Sequence, residues 1–228
     1  MSKELSEARR KRRFKDRVYA AVARVPAALA NAHRLELLDL LSQRPRTVQD
    51  IAAEADLTVA NASQHLGVLA RSGLVAVERR GTFAFYRVAD PATYRLLVEL
   101  RAIAESVDAE VGTAERTYFG ARDAGIATFT AALDVINDPH VALLDARPRE
   151  EYEAAHLPGA ISAPLQALRS GKVALSRSKR YVVYCRGPYC TFADEAVLLL
   201  RERGVHATRL ALGPAEWVAA GGDVQRVG

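Results

Sequence analysis

The sequence predicts two domains, a mainly α-helical one that carries a short β-hairpin, followed by an α/β one with a central parallel sheet. Three observations predict this fold class. A chain of 228 residues, half of them hydrophobic, is long enough to bury two cores. Apolar residues recur at helical spacing up to residue 73 and then alternate in two short runs. From residue 126 onward, strand-like and helix-like segments alternate, which is typical of a parallel sheet covered by helices.

The positive charge of the chain lies mainly in its first part. Residues 1–87 contain 16 Lys and Arg against nine Asp and Glu, a larger surplus than the net charge of +5 of the whole chain. A basic surface releases counterions from phosphate, so nucleic acid is the natural partner and an anionic membrane surface the competing one. The start, MSKELSEARRKRRFKDR, has no apolar run after it, and no later segment is long enough to span a bilayer. We therefore expect a cytoplasmic protein with no membrane partner.

The first part of the chain has the pattern of a helix-turn-helix. A basic segment over residues 9–17 leads into the helical segments YAAVARVPAALANA and HRLELLDLLSQ. Thr47 and Asp50 have the spacing of a capping pair at the start of the next helix. The short break DLT separates that helix from VANASQHLGVLARSG, which ends at Gly73.

A hairpin and one long helix follow. LVAVERR and TFAFYRV predict two strands around a turn at Gly81. PATYRLLVELRAIAESVDAEV predicts an amphipathic helix over residues 91–118, with Asp90 as its N-cap and Pro91 at its first position.

The composition changes at YFGARDAG, where turn residues occur without a clear period. The segments beyond it are HVALLDA, PREEYEAA, YVVYC, TFADEAVLLLRERG, ATRLAL and PAEWVAAGG, in alternating strand-like and helix-like order. We therefore predict a domain that contains the helix-turn-helix over residues 1–118, a linker over 119–125 and an α/β domain over 126–228.

The stretch LTVANASQHLGVLARSGLVAVERRGTFAFYRV resembles the ArsR-type winged-helix repressors, and the resemblance covers residues 30 to about 115. Its markers are Ser63-Gln64-His65-Leu66, Leu69, Gly73-Leu74-Val75 and the wing at Gly81. The resemblance implies a helix that enters the major groove, a wing that grips the DNA backbone, and flanking helices that pair two subunits. The implied partners are a double-stranded DNA operator and a second copy of the chain, as a homodimer.

Two groups of side chains are candidates for contacts with DNA. Short polar side chains on the second helix can reach base edges or phosphate: Asn61, Ser63, Gln64 and His65. Three arginines on the predicted wing can hold phosphates: Arg79, Arg80 and Arg87. The alternatives are a solvated polar surface, a packed His65, and ordinary surface charge for the arginines.

Many ArsR-type relatives sense metals through cysteine or histidine ligands, and this sequence departs from that pattern. It has no cysteine before Cys185, and residues 91–118 contain no histidine. Carboxylates alone make a poor site for a thiophilic metal. We therefore expect no metal and no cofactor.

The C-terminal stretch resembles a single rhodanese domain over residues 126–226. Its markers are Asp145-Ala146-Arg147, Tyr152, His156-Leu157-Pro158-Gly159-Ala160, and the strand, loop and helix around Cys185. By this resemblance Cys185 is the catalytic residue that accepts sulfur.

The position of Cys185 gives a physical reason for reactivity. It ends a predicted buried strand, and a helix opens near Thr191 after an active-site loop of Arg186, Gly187, Pro188 and Tyr189. Loop amides and the helix dipole are expected to favour a thiolate or a persulfide anion, with charge added by Arg186. The alternative is an inert cysteine at a strand end.

Cys190 lies at the far end of the same loop. We interpret it as a second reactive thiol that resolves a persulfide on Cys185 by forming a disulfide or polysulfide bridge. The alternative is a small residue at a helix start.

Asp145 and Arg147 follow the first predicted strand of the sheet and are expected to support the fold around the loop. A related phosphatase or arsenate reductase chemistry needs a later arginine in the loop, where this chain has Thr191. Phosphatase activity is therefore disfavoured.

Three functional hypotheses remain open at this stage. The first is a repressor whose operator affinity depends on persulfide or redox modification of the rhodanese-domain cysteine by a small sulfur species or another thiol-reactive inducer. The second is a thiosulfate or persulfide sulfurtransferase with an attached DNA-binding domain, although Pro188 removes one amide from the loop. The third is a constitutive repressor with a decayed rhodanese domain.

Overall fold

The structure is a computed structural model that describes residues 2–119, 125–176 and 178–227, with side chains described from residue 6 onward. It contains two compact units, residues 1–41 with 45–90 and residues 42–44 with 91–228. Residues 120–124 of the predicted linker lie outside the described residues, so the domain boundary predicted there stays a prediction.

The first unit is mainly helical and carries a small antiparallel sheet. The order of its strands is β1-β3-β2. Its elements are α1 (Ser2–Val22), α2 (Arg24–Leu29), α3 (Ala32–Gln43), β1 (Arg46–Thr47), α4 (Val48–Glu54), α5 (Val59–Arg71), β2 (Val75–Arg80) and β3 (Phe83–Val88). The last two residues of α3 group with the second unit.

Helices α4 and α5 form the predicted helix-turn-helix. The capping pair is confirmed, because the Thr47 side chain accepts the Asp50 amide and the Asp50 side chain accepts the Thr47 amide. The turn between the helices passes through Asp56, whose φ of 51° is the left-handed conformation that a tight reversal requires. Thr58 then caps α5 by accepting the amide of Asn61. The winged helix-turn-helix fold is thus confirmed, with β2 and β3 as the wing.

The second unit has a four-stranded parallel sheet with the strand order β5-β4-β6-β7. Its elements are α6 (Ala92–Val107), α7 (Ala109–Phe119), α8 (Phe129–Ile136), β4 (Val141–Asp145), α9 (Arg149–Ala154), β5 (Ile161–Ser162), α10 (Leu165–Arg169), β6 (Arg180–Tyr184), α11 (Phe192–Glu202), β7 (Ala207–Arg209) and α12 (Pro214–Ala219). The predicted α/β fold with a central parallel sheet is confirmed.

The prediction of one long helix over residues 91–118 was wrong. Asp108 adopts an extended conformation, with φ −122° and ψ 107°, and this breaks the segment into α6 and α7. Its carboxylate accepts the amide of Glu110 at 2.9 Å, so a short acidic side chain replaces helical bonding at the break. The start also differs by one residue, because α6 begins at Ala92 with Pro91, rather than Asp90, in the cap position.

Alternate residues of the central strands face opposite sides of the parallel sheet. Leu144 and Val183 pack under α10 and α11, whereas Leu143 and Val182 pack in the other layer beside Trp217. The sheet therefore has a hydrophobic core on each face. No helix among the residues that the structure describes is long and apolar enough to cross a membrane.

Candidate functional site

Cys185 lies immediately after β6, at the carboxyl edge of the parallel sheet. Its side chain is only 2% exposed and belongs to the core layer under α11, beside Ala193 and Ala196. Ligands of open parallel sheets bind at this edge. The cysteine therefore has the position that the sequence predicts for it, but below the protein surface.

The thiol of Cys185 points at backbone carbonyl groups. It donates to the carbonyl oxygen of Cys190 at 3.3 Å and lies 3.9 Å from that of Gly187. Burial, followed by the hydrogen bond with the Cys190 side chain, raises the pKa of the Cys185 thiol well above its ordinary value. Hydrogen bonds with the backbone of Ala193 and Gly187 lower this pKa but do not outweigh burial, and the expectation that the loop favours a Cys185 thiolate stays a prediction.

Cys190 has the opposite environment. It is partly exposed, and a hydrogen bond with the Cys185 side chain lowers the pKa of the Cys190 thiol. Hydrogen bonds with the backbone of Arg186 and Phe192 lower that pKa further, while burial opposes them. Within the pair, a negative charge is therefore more stable on Cys190 than on Cys185.

Arg186 points inward, as the sequence analysis considered, but its charge is neutralised. Its guanidinium makes a bidentate pair with Glu151, with nitrogen–oxygen distances of 2.6 to 3.1 Å, and lies over the ring of Phe192. Both partners are buried. Arg186 therefore holds the loop to α9, and its charge also helps to lower the pKa of Cys190.

The centre of the loop is held by two neighbouring elements, β7 and α6. Arg209 of β7 donates to the carbonyl oxygen of Pro188 at 2.8 Å. The Tyr189 hydroxyl donates to Glu105 of α6 at 2.8 Å, and the guanidinium carbon of Arg101 lies 5.5 Å from the centre of the Tyr189 ring. The residue next to Cys190 is therefore attached to α6.

Glu216 of helix α12 packs against the same loop. Glu216 accepts the amide of Gly213 at 2.9 Å and pairs with Arg101 at 2.8 Å. Gly187 packs against it with φ +152°, and a Cβ there would lie 3.0 Å from both carboxylate oxygens. A Cβ on Gly213 would lie 2.3 Å from the carbonyl oxygen of Arg186. Both glycines are thus required by the close approach of backbone and carboxylate.

Asp145 and Arg147 form a buried network beside the loop. The Arg147 guanidinium binds the Asp145 carboxylate in a bidentate pair, and both side chains are fully buried. Tyr184 donates to Asp145 at 2.6 Å and accepts the amide of Leu157 at 3.1 Å. Arg147 also donates at 2.9 Å to Gln43, which belongs to this unit. This geometry fits the supporting role proposed for the pair.

The polar candidates on α5 differ in exposure. Ser63 and Gln64 are exposed, and Asn61 is partly buried. The ring of His65 is also partly buried and lies 5.5 Å from that of His33. Burial, followed by the nearby His33, lowers the pKa of His65, so its ring favours the neutral form.

The three wing arginines are exposed, but they do not share one face of the hairpin. Arg80 and Arg87 lie on one face, whereas Arg79 lies on the other, because successive residues of a strand alternate between the faces and residues directly opposite each other share one. Arg80 also pairs with Glu78 at 2.9 Å. Arg79 and Arg87 are therefore the stronger candidates for phosphate contacts.

Two domain families match parts of the chain, and a related protein matches most of its length. A helix-turn-helix domain family matches residues 29–78, and the rhodanese-like domain family matches residues 128–220. The HTH-type transcriptional regulator Rv0324 of Mycobacterium tuberculosis is 39% identical over 200 residues, which cover 88% of this chain and 88% of that protein. The chain belongs to the ArsR-type helix-turn-helix transcriptional regulators. Its second domain is rhodanese-like.

Two further matches cover a smaller share of the chain. The biofilm growth-associated repressor of Agrobacterium fabrum is 37% identical over 82 residues, which cover 36% of this chain and 70% of that protein. Among solved structures, the homodimeric winged helix-turn-helix DNA-binding domain of a possible ArsR-family regulator from Mycobacterium bovis is 38% identical. It covers 41% of this chain and 87% of that chain, with a TM-score of 0.40.

Sequence reasoning about this regulator missed the residues that hold the loop. Glu151, Glu216 and Arg209 each contact the loop from an element distant in the chain, and Arg101 and Glu105 do so from α6. A partial signal existed, since Glu151 and Glu216 lie in the segments PREEYEAA and AEWVAAG that carry the rhodanese resemblance. Among the described residues, no group of three or more His, Cys, Asp or Glu side chains is placed to hold a metal ion.

Proposed function

We propose that this regulator is a homodimeric repressor whose affinity for a double-stranded DNA operator falls when a small sulfur species or another thiol-reactive inducer modifies the pair Cys185 and Cys190. One observation carries the proposal. The loop between the two cysteines is attached at Tyr189 to α6, through a hydrogen bond with Glu105 at 2.8 Å and the nearby guanidinium of Arg101.

A change at the sulfurs has a direct route to α6. Modification of Cys185 removes the thiol proton that it donates to the Cys190 carbonyl at 3.3 Å, so the end of the loop must rearrange. Tyr189 precedes Cys190 directly and moves with it. Helix α6 follows the wing after only three residues, 89–91, so the chain itself connects α6 to β3. A coupling of about 1–3 kcal/mol along this route would change operator affinity roughly 5- to 150-fold.

Helix α6 also supports the proposed homodimer. Leu96, Ile103 and Val107 are exposed apolar residues at spacings of seven and four, which places them on one face of the helix. Exposed apolar stripes of this kind commonly pair with another chain. A second copy of α6 is the partner that the ArsR-type resemblance implies.

The proposed DNA contacts use both parts of the winged helix. Exposed Ser63 and Gln64 on α5, with Asn61 beside them, are suited to base edges and phosphates. Arg79 and Arg87 on the wing are suited to the DNA backbone. The basic surplus of residues 1–87 adds attraction that does not depend on sequence.

The test is operator binding by the full-length protein. A labelled duplex, selected from a random-sequence library by the wild type, is titrated at fixed salt with and without glutathione persulfide. We expect the donor to weaken wild-type binding roughly 5- to 150-fold. The chain has two cysteines, so the double variant Cys185→Ser/Cys190→Ser is a cysteine-free control that should not respond. Equal binding by both proteins with and without the donor would refute the proposal.

A second candidate function is thiosulfate or persulfide sulfurtransferase activity. The rhodanese-like match over residues 128–220 and the position of Cys185 after β6 favour it. Burial of Cys185 and the missing amide of Pro188 oppose rapid turnover. Thiosulfate-to-cyanide turnover that Cys185→Ser abolishes, with DNA binding unchanged by the donor, would favour the enzyme. Absence of both activities would favour a constitutive repressor.

A further inference from the structure

The described side chains of helix α1 all face solvent. Each of residues 6–22 is exposed, although the helix contacts α2. Helix α2 in turn contacts α5 of the helix-turn-helix, and all three helices belong to the first unit. The surface of α1 is therefore open to a partner, and it belongs to the unit that holds the DNA-binding elements.

Basic residues are concentrated in the middle of α1. Seven of residues 9–17 are Lys or Arg. Lys11 pairs with Glu7 at 3.0 Å, and Arg12 pairs with Asp16. At about 100° per residue, four further arginines fall within roughly 100° of the helix circumference. They form the arginine face, which consists of Arg9, Arg10, Arg13 and Arg17.

The charge of the arginine face is not neutralised within the described part of the chain. None of its four guanidinium groups makes an ion pair with a side chain that the structure describes. The carboxylates nearest in sequence, Glu7 and Asp16, already pair with Lys11 and Arg12. Like charges three and four residues apart destabilise a helix. A bound anion would relieve this repulsion, so the face is suited to a polyanion.

The length of the arginine face fits a row of phosphates. From Arg9 to Arg17 the helix advances eight residues, which is about 12 Å. One strand of duplex DNA carries a phosphate about every 3.4 Å along the axis, so the same length holds about three to four phosphates. The four arginines therefore match a short run of one DNA backbone in number.

An anionic membrane fits this helix less well. A helix that lies in a membrane surface needs an apolar face beside its charged one. Among residues 6–13, which hold three of the four arginines, Ala8 is the only apolar residue. The exposed apolar residues Phe14, Val18 and Val22 lie in the second half of α1. The charged half therefore has almost nothing to bury in lipid.

We propose that the arginine face of α1 is a second DNA-binding surface, which binds the phosphate backbone in addition to the contacts made by α5 and the wing. Phosphate contacts carry no sequence information. Helix α1 therefore raises the affinity for every duplex by the same factor, while the choice of operator stays with α5. The proposal shares the DNA partner of the proposed function but does not depend on the response to sulfur.

The salt dependence of DNA binding tests this surface. Full-length wild type and Arg9→Gln/Arg13→Gln are titrated by fluorescence anisotropy without a sulfur donor. The targets are the duplex selected by the wild type and a random-sequence duplex of the same length. Each lost phosphate contact lowers the slope of log affinity against log salt by about 0.9, so a dimer that loses four should lose up to roughly 3.6. Affinity at about 0.1 M salt should fall at least roughly tenfold on both duplexes, with an unchanged ratio between them.

The matched control is Lys11→Gln/Arg12→Gln. It removes the same charge from the same helix, but from cations that already pair with carboxylates. Glutamine has nearly the helix propensity of lysine and arginine, and all four positions are exposed, so both variants should fold as the wild type does. The control should keep most of the wild-type slope.

Three results would overturn the proposal. An unchanged slope for Arg9→Gln/Arg13→Gln would mean that the arginine face does not contact DNA. An equal loss in the control would mean that net charge acts, rather than this face. Binding of the wild type to phosphatidylglycerol vesicles that Arg9→Gln/Arg13→Gln loses, with an unchanged DNA slope, would assign the face to a membrane. A wild type that binds DNA but ignores the sulfur donor would refute the proposed regulation and leave this surface intact.

Discussion

Replacing Arg101 by glutamine removes the positive charge that α6 places beside Glu216. The pair is 2.8 Å apart, and its side chains are only 13% and 9% exposed. Glu216 then keeps the amide of Gly213 as a partner but loses a charge-assisted bond in a poorly hydrated site. The contact of the guanidinium with the Tyr189 ring is lost as well. We expect Arg101→Gln to lower the free energy of unfolding of the second unit by about 2–3 kcal/mol.

The single tryptophan of the chain, Trp217, provides the assay. It is buried in α12 next to Glu216, so its fluorescence in urea follows the unfolding of this unit. With a denaturant slope of about 1–3 kcal/mol per molar, the midpoint should fall by about 1 M. The matched control is Arg149→Gln, which breaks an ion pair with Glu153 whose side chains are 76% and 42% exposed. Because solvent screens that pair, its midpoint should stay close to that of the wild type. Equal midpoints for the two variants would refute the reasoning.

Four further outcomes are expected. Arg87→Ala should weaken operator binding and reduce the slope of log affinity against log salt by about 0.9, measured by fluorescence anisotropy at several salt concentrations. Tyr184→Phe should lower the free energy of unfolding by about 1–3 kcal/mol, because the buried amide of Leu157 loses its acceptor. Gly187→Ala should lower the urea midpoint as well, because its φ of +152° and the carboxylate 3.0 Å from the new Cβ both oppose a side chain. Alkylation of Cys190 by iodoacetamide should persist below the ordinary thiol pKa of about 8.5, because its thiolate is stabilised, and tryptic peptides report the rate at each pH.

Each of these outcomes has a result that contradicts it. An unchanged salt slope for Arg87→Ala would remove that residue from the phosphate contacts. Unchanged urea midpoints for Tyr184→Phe or Gly187→Ala would mean that the described packing does not limit stability. Alkylation of Cys190 that falls tenfold for each pH unit below 8.5 would mean that its thiolate has no special stabilisation.

The sequence predicts the elements that carry a strong local pattern. The helix-turn-helix, the wing and the strands around Asp145 and Cys185 are found where their periodicity and turn residues indicate. The two-residue strand β5 and the short helix α10 were not predicted, because so few residues show no period. The break at Asp108 was also missed, since an amphipathic pattern continues across it and a single side-chain-to-backbone bond decides the outcome.

The candidate site shows a similar division. Chain order alone indicates that Cys185 and Cys190 share one loop. The partners of that loop come from residues far apart in the sequence, such as Glu151 with Arg186, and only the fold brings them together. The preference of Cys190 for the thiolate depends on which groups around the two sulfurs are donors and which are acceptors. Residue types in a sequence do not specify those directions.

The attachment of α6 to the rhodanese-like unit limits how this architecture can be recombined. A chimaera that keeps residues 1–118 and receives a different sensory domain would retain Arg101 and Glu105 but lose their partners Glu216 and Tyr189. A junction at Asp90 would transfer α6 together with those partners. Gene fusions that exchange the sensory domain are therefore expected to preserve function when α6 travels with it, or when a new domain evolves its own contacts to that helix.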